Sequence, residues 1–222
     1  MQTAKVMIPS DRRMLEGMLV IPDGARGIVA FAHGSGSSRL SPRNRDVADT
    51  LHQLGLATLL FDLLTDEESR RDLLSAEYRF DIPLLAQRLS CALDWLRREP
   101  STALLPMGLF GASTGAAAAL SVAAGDKSVR ALVSRGGRPD LAQDALTDVA
   151  APTLFIVGEL DREVLRLNEA AADRLACEHR IEIVPGATHL FEESGALEQV
   201  AHLAAQWFLH WLAEAASGPV PD

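Results

Sequence analysis

Ser113 lies at the centre of Gly111-Ala112-Ser113-Thr114-Gly115, after the apolar run Met107-Gly108-Leu109-Phe110 and before the small-residue run Ala116 to Leu120. A G-x-S-x-G between a predicted strand and a predicted helix is a sharp turn that lifts a serine hydroxyl out of a sheet. Only tiny side chains fit two residues either side of the serine. The helix that starts there points free N–H groups and a partial positive charge at any negative charge developing beside it. The chemistry this suits is attack of a hydroxyl on a carbonyl.

A serine hydroxyl is a poor nucleophile at neutral pH and needs a base, itself oriented by a carboxylate. In α/β sheets such groups gather at the carboxyl ends of strands. The predicted strand Thr153 to Val157 runs into Gly158-Glu159-Leu160-Asp161, which makes Asp161 the candidate acid. Its structural alternative is to cap the helix predicted from Val164; Asp140 and Glu159 are rival acids. His189, in Pro185-Gly186-Ala187-Thr188-His189-Leu190-Phe191, follows the last predicted strand and completes the order Ser, Asp, His. His52, His202 and His210 fall on predicted helices, and His179 just before that strand. No pair of them has metal-ligand spacing, so no metal and no cofactor are expected.

An oxyanion site needs two backbone donors. One is the N–H of Thr114; the other belongs to the loop His33-Gly34-Ser35-Gly36-Ser37-Ser38, with Ser35 assigned and Gly36 the alternative. Gly34 and Gly36 let that backbone approach a substrate closely.

These groups require a frame. Ala4 to Ile8 and Met14 to Ile21 read as a hairpin turning at Ser10-Asp11-Arg12. Gly27 to Ala32 is a compact apolar run of the kind covered on both faces, Leu56 to Phe61 reads as another buried strand, Val129 to Ser134 and Thr153 to Val157 as further short apolar strands, and Ile181 to Val184 as the last strand. Helices are expected over Asn44 to Leu54, from Asp81 to Pro100, after Ser113, over Val164 to Leu175 and over Leu197 to Leu212. Leu63 to Phe80 is polar and resists assignment. The alternation predicts an α/β fold with a mostly parallel sheet and right-handed crossovers, in a single domain over residues 1–216 with a frayed tail over 217–222.

The chain has 222 residues, 48% of them hydrophobic, and a formal net charge of −9. That charge, with no basic stripe, argues against a nucleic-acid partner. No apolar run is long enough to span a bilayer and no secretion signal is visible, so no membrane partner and a cytoplasmic location are expected. Cys91 and Cys177 sit in apolar patterns and read as buried thiols. Oligomeric state is not encoded in any of these features.

The chain resembles the α/β-hydrolase superfamily and, within it, the dienelactone-hydrolase-like group. The resemblance rests on HGSGSS from His33, SPRNR from Ser41, LLFDLL from Leu59, FGASTG from Phe110, SRGGRPDL from Ser134 and PGATHLFEE from Pro185. It implies an eight-stranded sheet and a Ser113–Asp161–His189 triad over nearly the whole chain. Dienelactone hydrolases use a cysteine nucleophile where this chain has serine, so the dienelactone substrate does not carry over.

In related hydrolases a cap often follows the sixth strand. Here Arg135 to Pro152 leaves space for one short helix, such as Leu141 to Val149, and an open site without a cap domain is expected. Tyr78 and Phe80 are aromatic candidates to line it. Arg135 and Arg138 flank Gly136-Gly137 and are candidates to hold a substrate carboxylate; pairing with Asp140 or Asp144 is the plainer expectation. Some of Arg39, Arg43 and Arg45 are expected to fix the oxyanion loop, with anion binding as the alternative, and Asp66-Glu67-Glu68 is expected to be a solvated loop. The expected activity is hydrolysis of a small-molecule carboxylic ester, thioester or lactone through an acyl-enzyme. An acyltransferase or perhydrolase using the same triad, or a non-enzymatic ligand-binding protein, are the alternatives.

Overall fold

Period-two alternation at the N-terminus becomes a hairpin in which β1 (Gln2–Ser10) pairs antiparallel with β2 (Arg13–Ile21). Asp11 makes the turn at φ 51°, a left-handed position that aspartate tolerates. The computed structural model describes residues 1–216, with side chains described through residue 213; the expected tail, 217–222, lies outside the described residues.

The three apolar runs β3 (Ile28–Ala32), β4 (Ala57–Phe61) and β5 (Met107–Ala112) are buried at every residue. β6 (Val129–Arg135), β7 (Thr153–Gly158) and β8 (His179–Val184) complete one sheet of order β1-β2-β4-β3-β5-β6-β7-β8. β2 meets β4 antiparallel, and every pairing from β4 onward is parallel. The sheet is therefore mixed, with the hairpin at one edge. His179 lies inside β8 rather than before it.

Helices cover both faces. Val47, Ala48 and Leu51 of α1 (Pro42–Gln53) pack with Ala204, Phe208 and Leu212 of α6 (Ala196–Ala216) on one face. Within that layer the Phe31 and Phe110 rings stack at 4.8 Å. The other face receives α3 (Ile82–Arg98), α4 (Thr114–Gly125) and α5 (Arg162–Ala172). The helix expected over Leu141 to Val149 is a 3-10 helix, Pro139–Asp148, because Gln143 at φ 49° breaks the helical ladder. Cys91 and Cys177 are free and only half-buried, Cys177 at the margin of the apolar layer that includes α3 and α4. Among the described residues no helix is long and apolar enough to cross a membrane.

The unassigned segment holds a further helix, α2 (Asp66–Ser75). A capping box starts it: the Glu68 N–H donates to Thr65 Oγ1 at 3.3 Å, and the Thr65 N–H donates to Glu68 Oε2 at 2.9 Å. The acidic run is thus the first turn of α2, where carboxylates suit the positive end of the helix, and not a solvated loop. Glu68 is buried, and its two oxygens accept from Arg88 Nη1 and Nη2 at 2.6 Å each. Arg88 Nη1 also donates to the Leu63 carbonyl at 2.6 Å, so α2 is bolted to α3 through a fully bonded ion pair. Burial alone would raise the Glu68 carboxyl. The Arg88 guanidinium and the Thr65 N–H outweigh it and hold the carboxyl at about 2.

Glu68→Gln leaves Arg88 buried without its counter-charge and is expected to cost about 3–5 kcal/mol near neutral pH, measured by urea denaturation. Because the folded-state value is depressed, this stabilisation is complete above the unfolded carboxyl value of about 4.3 and is lost as pH falls towards 2. The stability gap between wild type and variant should therefore close across that window, and a gap independent of pH would contradict the assignment.

Candidate active site

Ser113 is the residue between β5 and α4, at φ 52° and ψ −121°. A non-glycine residue rarely takes that conformation, and here surrounding bonds over-determine it. The Ser113 N–H donates to the Arg135 carbonyl at 3.2 Å, and the Ser113 carbonyl accepts from the Arg138 N–H at 3.0 Å. Packing explains the flanking glycine: a Cβ on Gly115 would stand 2.2 Å from the Ala32 carbonyl oxygen and 2.6 Å from that of His33. The first turn of α4 therefore rests directly on the end of β3.

The loop leaving β3 lies against the serine, since a Cβ on Gly34 would come within 3.1 Å of Ser113 Cβ. Gly34 to Ser37 form a turn in which the Ser37 N–H donates to the Gly34 carbonyl at 3.2 Å and Gly36 takes φ 69°. His33 fixes this turn, a role that sequence reasoning passed over. Its Nε2 accepts from the Leu63 N–H at 3.0 Å, so in the neutral ring the proton sits on Nδ1 and is donated to the Gly34 carbonyl at 2.9 Å. Burial pushes the His33 pKa below its ordinary value, against the opposing pull of the Gly34 carbonyl and the Asp62 carboxylate. The Gly34–Ser35 peptide is planar and trans, so fixing the Gly34 carbonyl turns the Ser35 N–H to the opposite side. The readable signal was a histidine placed directly before the loop glycine.

The acid and the imidazole meet. His189 Nδ1 lies 2.6 Å from Asp161 Oδ2, and the Asp161 side chain is the more deeply buried of the two. Asp161 stands at the N-cap of α5 yet makes no capping bond from its side chain; the carboxylate is turned to His189 instead. The rivals are occupied elsewhere. Asp140 accepts from Arg138 Nε and Nη2 at 2.8 and 2.7 Å, and Glu159 accepts from the Gly186 N–H at 2.7 Å. The His189 ring packs over Gly136, where a Cβ would lie 3.5 Å from its Nδ1 and Cε1. Gly136 follows the residue whose carbonyl holds Ser113, which brings serine and imidazole to one rim. Neither Ser113 Oγ nor His189 Nε2 has a hydrogen bond among the described residues.

A cleft of about 480 Å³ opens beside Thr114, between the loop after β3 and α2. Leu40, Leu64, Leu73 and Leu85 give it an apolar side, and Arg39 and Arg79 a polar one. Both arginines are already neutralised, Arg39 by Asp62 and Glu16, Arg79 by Asp72. Of the sequence-predicted lining residues, Gly34, Ser35 and Gly36 border the cleft. Tyr78 does not: its hydroxyl accepts from Arg71 Nη1 at 3.2 Å and it faces a separate depression beside Arg12, Arg13 and Arg88. The cause is α2, whose buried Asp72 accepts from the Tyr78 and Arg79 N–H groups at 2.8 and 3.0 Å and draws that turn away. Phe80 is exposed, outside both core and cleft. Arg138 is committed to Asp140, whereas Arg135 pairs with neither Asp140 nor Asp144.

The fold recurs in known proteins. The model of the dienelactone hydrolase family matches residues 15–216. A dienelactone hydrolase from Anabaena variabilis is 57% identical, with a TM-score of 0.93 over 95% of this chain and 98% of its own. An alpha-beta serine hydrolase homologue from Coxiella burnetii shares the fold at 21% identity, with a TM-score of 0.75 over 93% of this chain and 97% of its own. A Mycobacterium tuberculosis protein named "Putative phosphoribosyl transferase" is 57% identical over 207 residues, which are 93% of this chain and 45% of that protein. The chain thus spans less than half the length of the curated relatives it matches.

Gly115→Ala would drive a methyl group into the end of β3. A loss of at least about 1–3 kcal/mol in chemical denaturation is expected, and an unchanged midpoint would mean that the contact is not tight.

Proposed function

Since the chain belongs to the dienelactone hydrolase family, we propose that it is a serine hydrolase of carboxylic esters, working through an acyl-enzyme. The observation that carries this reading is the 2.6 Å contact between His189 Nδ1 and a carboxylate that forgoes capping its own helix. A carboxylate so placed holds the imidazole tautomer that leaves Nε2 free to accept a proton.

Ser113 Oγ attacks the ester carbonyl while His189 Nε2 takes its proton. Asp161 steadies the imidazolium. The N–H groups of Thr114 and Ser35 hold the tetrahedral oxyanion, and His33 sets the second donor by bonding the carbonyl of the same peptide. His189 then protonates the leaving alcohol, and water repeats the sequence on the acyl group. Catalytic hydrogen bonds commonly tighten only when substrate binds, and the Ser113–His189 bond belongs to that stage. The cleft beside Thr114 takes an uncharged part of the substrate, because its arginines already have carboxylate partners. The substrate is a small molecule, and the residues present call for no cofactor. A cytoplasmic setting suits this reading.

Ser113→Ala should abolish both p-nitrophenyl ester cleavage and fluorophosphonate labelling; retention of either would end the proposal. Asp161→Asn should lower kcat by about 10⁴. His33→Ala should lower kcat by up to about 10² with a smaller change in KM, the signature of a mispositioned oxyanion donor. An equal loss on labelling and on thermal stability would reduce His33 to a purely structural residue.

A further inference from the structure

Arg135 ends β6 with its side chain on the α1 and α6 face, and the residue is only 8% exposed. Its Nε has no hydrogen-bond partner, and Nη2 reaches only Asn44 Oδ1, at 3.5 Å. The guanidinium carbon lies 5.9 Å from the centre of the Phe191 ring. Among the described residues no carboxylate pairs with it. Its charged neighbour is a second cation, Arg43, and burial together with Arg43 pushes its pKa down to about 10. Arg43 also has a buried, unpartnered Nε, while its Nη1 donates to the exposed Glu192 at 3.2 Å. Glu193 Oε1 accepts from the Thr188 hydroxyl at 2.6 Å, and its Oε2 is buried without a hydrogen-bond partner. Arg43 and Asn44 lie in the first turn of α1, which contains no acidic residue, so the positive end of the helix adds to both guanidinium charges.

A buried cation beside another cation is costly unless an anion completes the site. The place is next to the reacting groups. The Arg135 backbone carbonyl holds the Ser113 N–H, and Phe191, the floor under the guanidinium, lies two residues past His189. Phe191 is itself kept at φ 54°, the left-handed strain that collects at functional positions. α1 follows the loop that carries Ser35. A group bound between Arg135 and Arg43 therefore touches segments continuous with both the oxyanion loop and the histidine loop.

We propose that Arg135 and Arg43, with the first turn of α1, bind an anionic oxygen group, carboxylate or phosphate, carried by the ester substrate. Planar guanidinium groups suit such oxygens through paired hydrogen bonds. This deepens the hydrolase reading and rests on it: the substrate is an acidic ester, its uncharged part in the cleft beside α2 and its anion on the α1 side of Ser113.

The test compares the p-nitrophenyl monoester of glutaric acid with p-nitrophenyl pentanoate, which replaces the distal carboxylate by a methyl group. The full chain should favour the acidic ester in kcat/KM. Arg43→Gln, at a partly exposed position, should lower the acidic-to-neutral ratio about tenfold, and Arg135→Lys should lower it as well. An equal ratio in wild type and both variants would overturn the proposal. Calorimetry on Ser113→Ala protein with glutarate and with inorganic phosphate separates the sources. Binding of either one that Arg43→Gln removes supports the site and names its anion; binding of neither overturns it. Fluorophosphonate labelling of the wild type reports the hydrolase reading separately, so a labelled Ser113 with no anion preference refutes the anion site alone.

Discussion

The approach of α4 to the end of β3 governs the rest of the molecule. Gly115 presents no side chain to the Ala32 and His33 carbonyls, so the helix can start directly on top of them. Ser113 is then pinned by the Arg135 carbonyl and the Arg138 N–H in a conformation that an isolated serine avoids. The ends of β3, β5 and β6 are brought to one point as a result. The loop with Ser35 leaves from the same carbonyls, and Gly136, the next residue of the β6 exit, seats His189. A side chain at that contact would separate groups that are useful only together.

Buried polar bonds tie together the segments around this point. His33 spends both ring nitrogens joining the exits of β3 and β4. Asp62 accepts from the Arg39 N–H at 2.7 Å and also from its guanidinium, fastening the far end of the same loop. Glu68 and Arg88 secure α2, and Asp72 gathers the turn that follows it. In a low-dielectric setting a satisfied network of this kind is rigid, because each lost partner strands a desolvated group. Arg135 stands out against that background. Its Nε, like that of Arg43, is buried without a hydrogen-bond partner, and among the described residues no carboxylate pairs with it.

The two sides of the rim consequently differ in chemistry. Towards α2, apolar side chains alternate with arginines that already have partners. Towards α1, two guanidinium groups share a helix N-terminus, and an exposed glutamate, Glu192, pairs with one of them. In the proposed reading, selectivity comes from desolvated charge on one side and from the shape that α2 gives the cleft on the other.

Local sequence carried much of this. Apolar runs marked β3 to β7, alternation marked the hairpin, and the glycines around Ser113 marked the turn, because steric limits and side-chain periodicity act between near neighbours. Asp161 and His189 were legible for the same reason, each as a polar residue just past a strand. The capping box from Thr65 to Glu68 was also local, and the acidic residues around it masked it. Other facts depended on segments far apart in the chain. Arg88 reaching Glu68, α2 turning Tyr78 from the cleft, and Asp161 facing His189 rather than its own helix are outcomes of packing. So is the isolation of Arg135: alternation along β6 sets the face its side chain takes, but whether a carboxylate waits there depends on what α1 and the histidine loop bring. Charge pairing acts through space, and no reading along the chain resolves it.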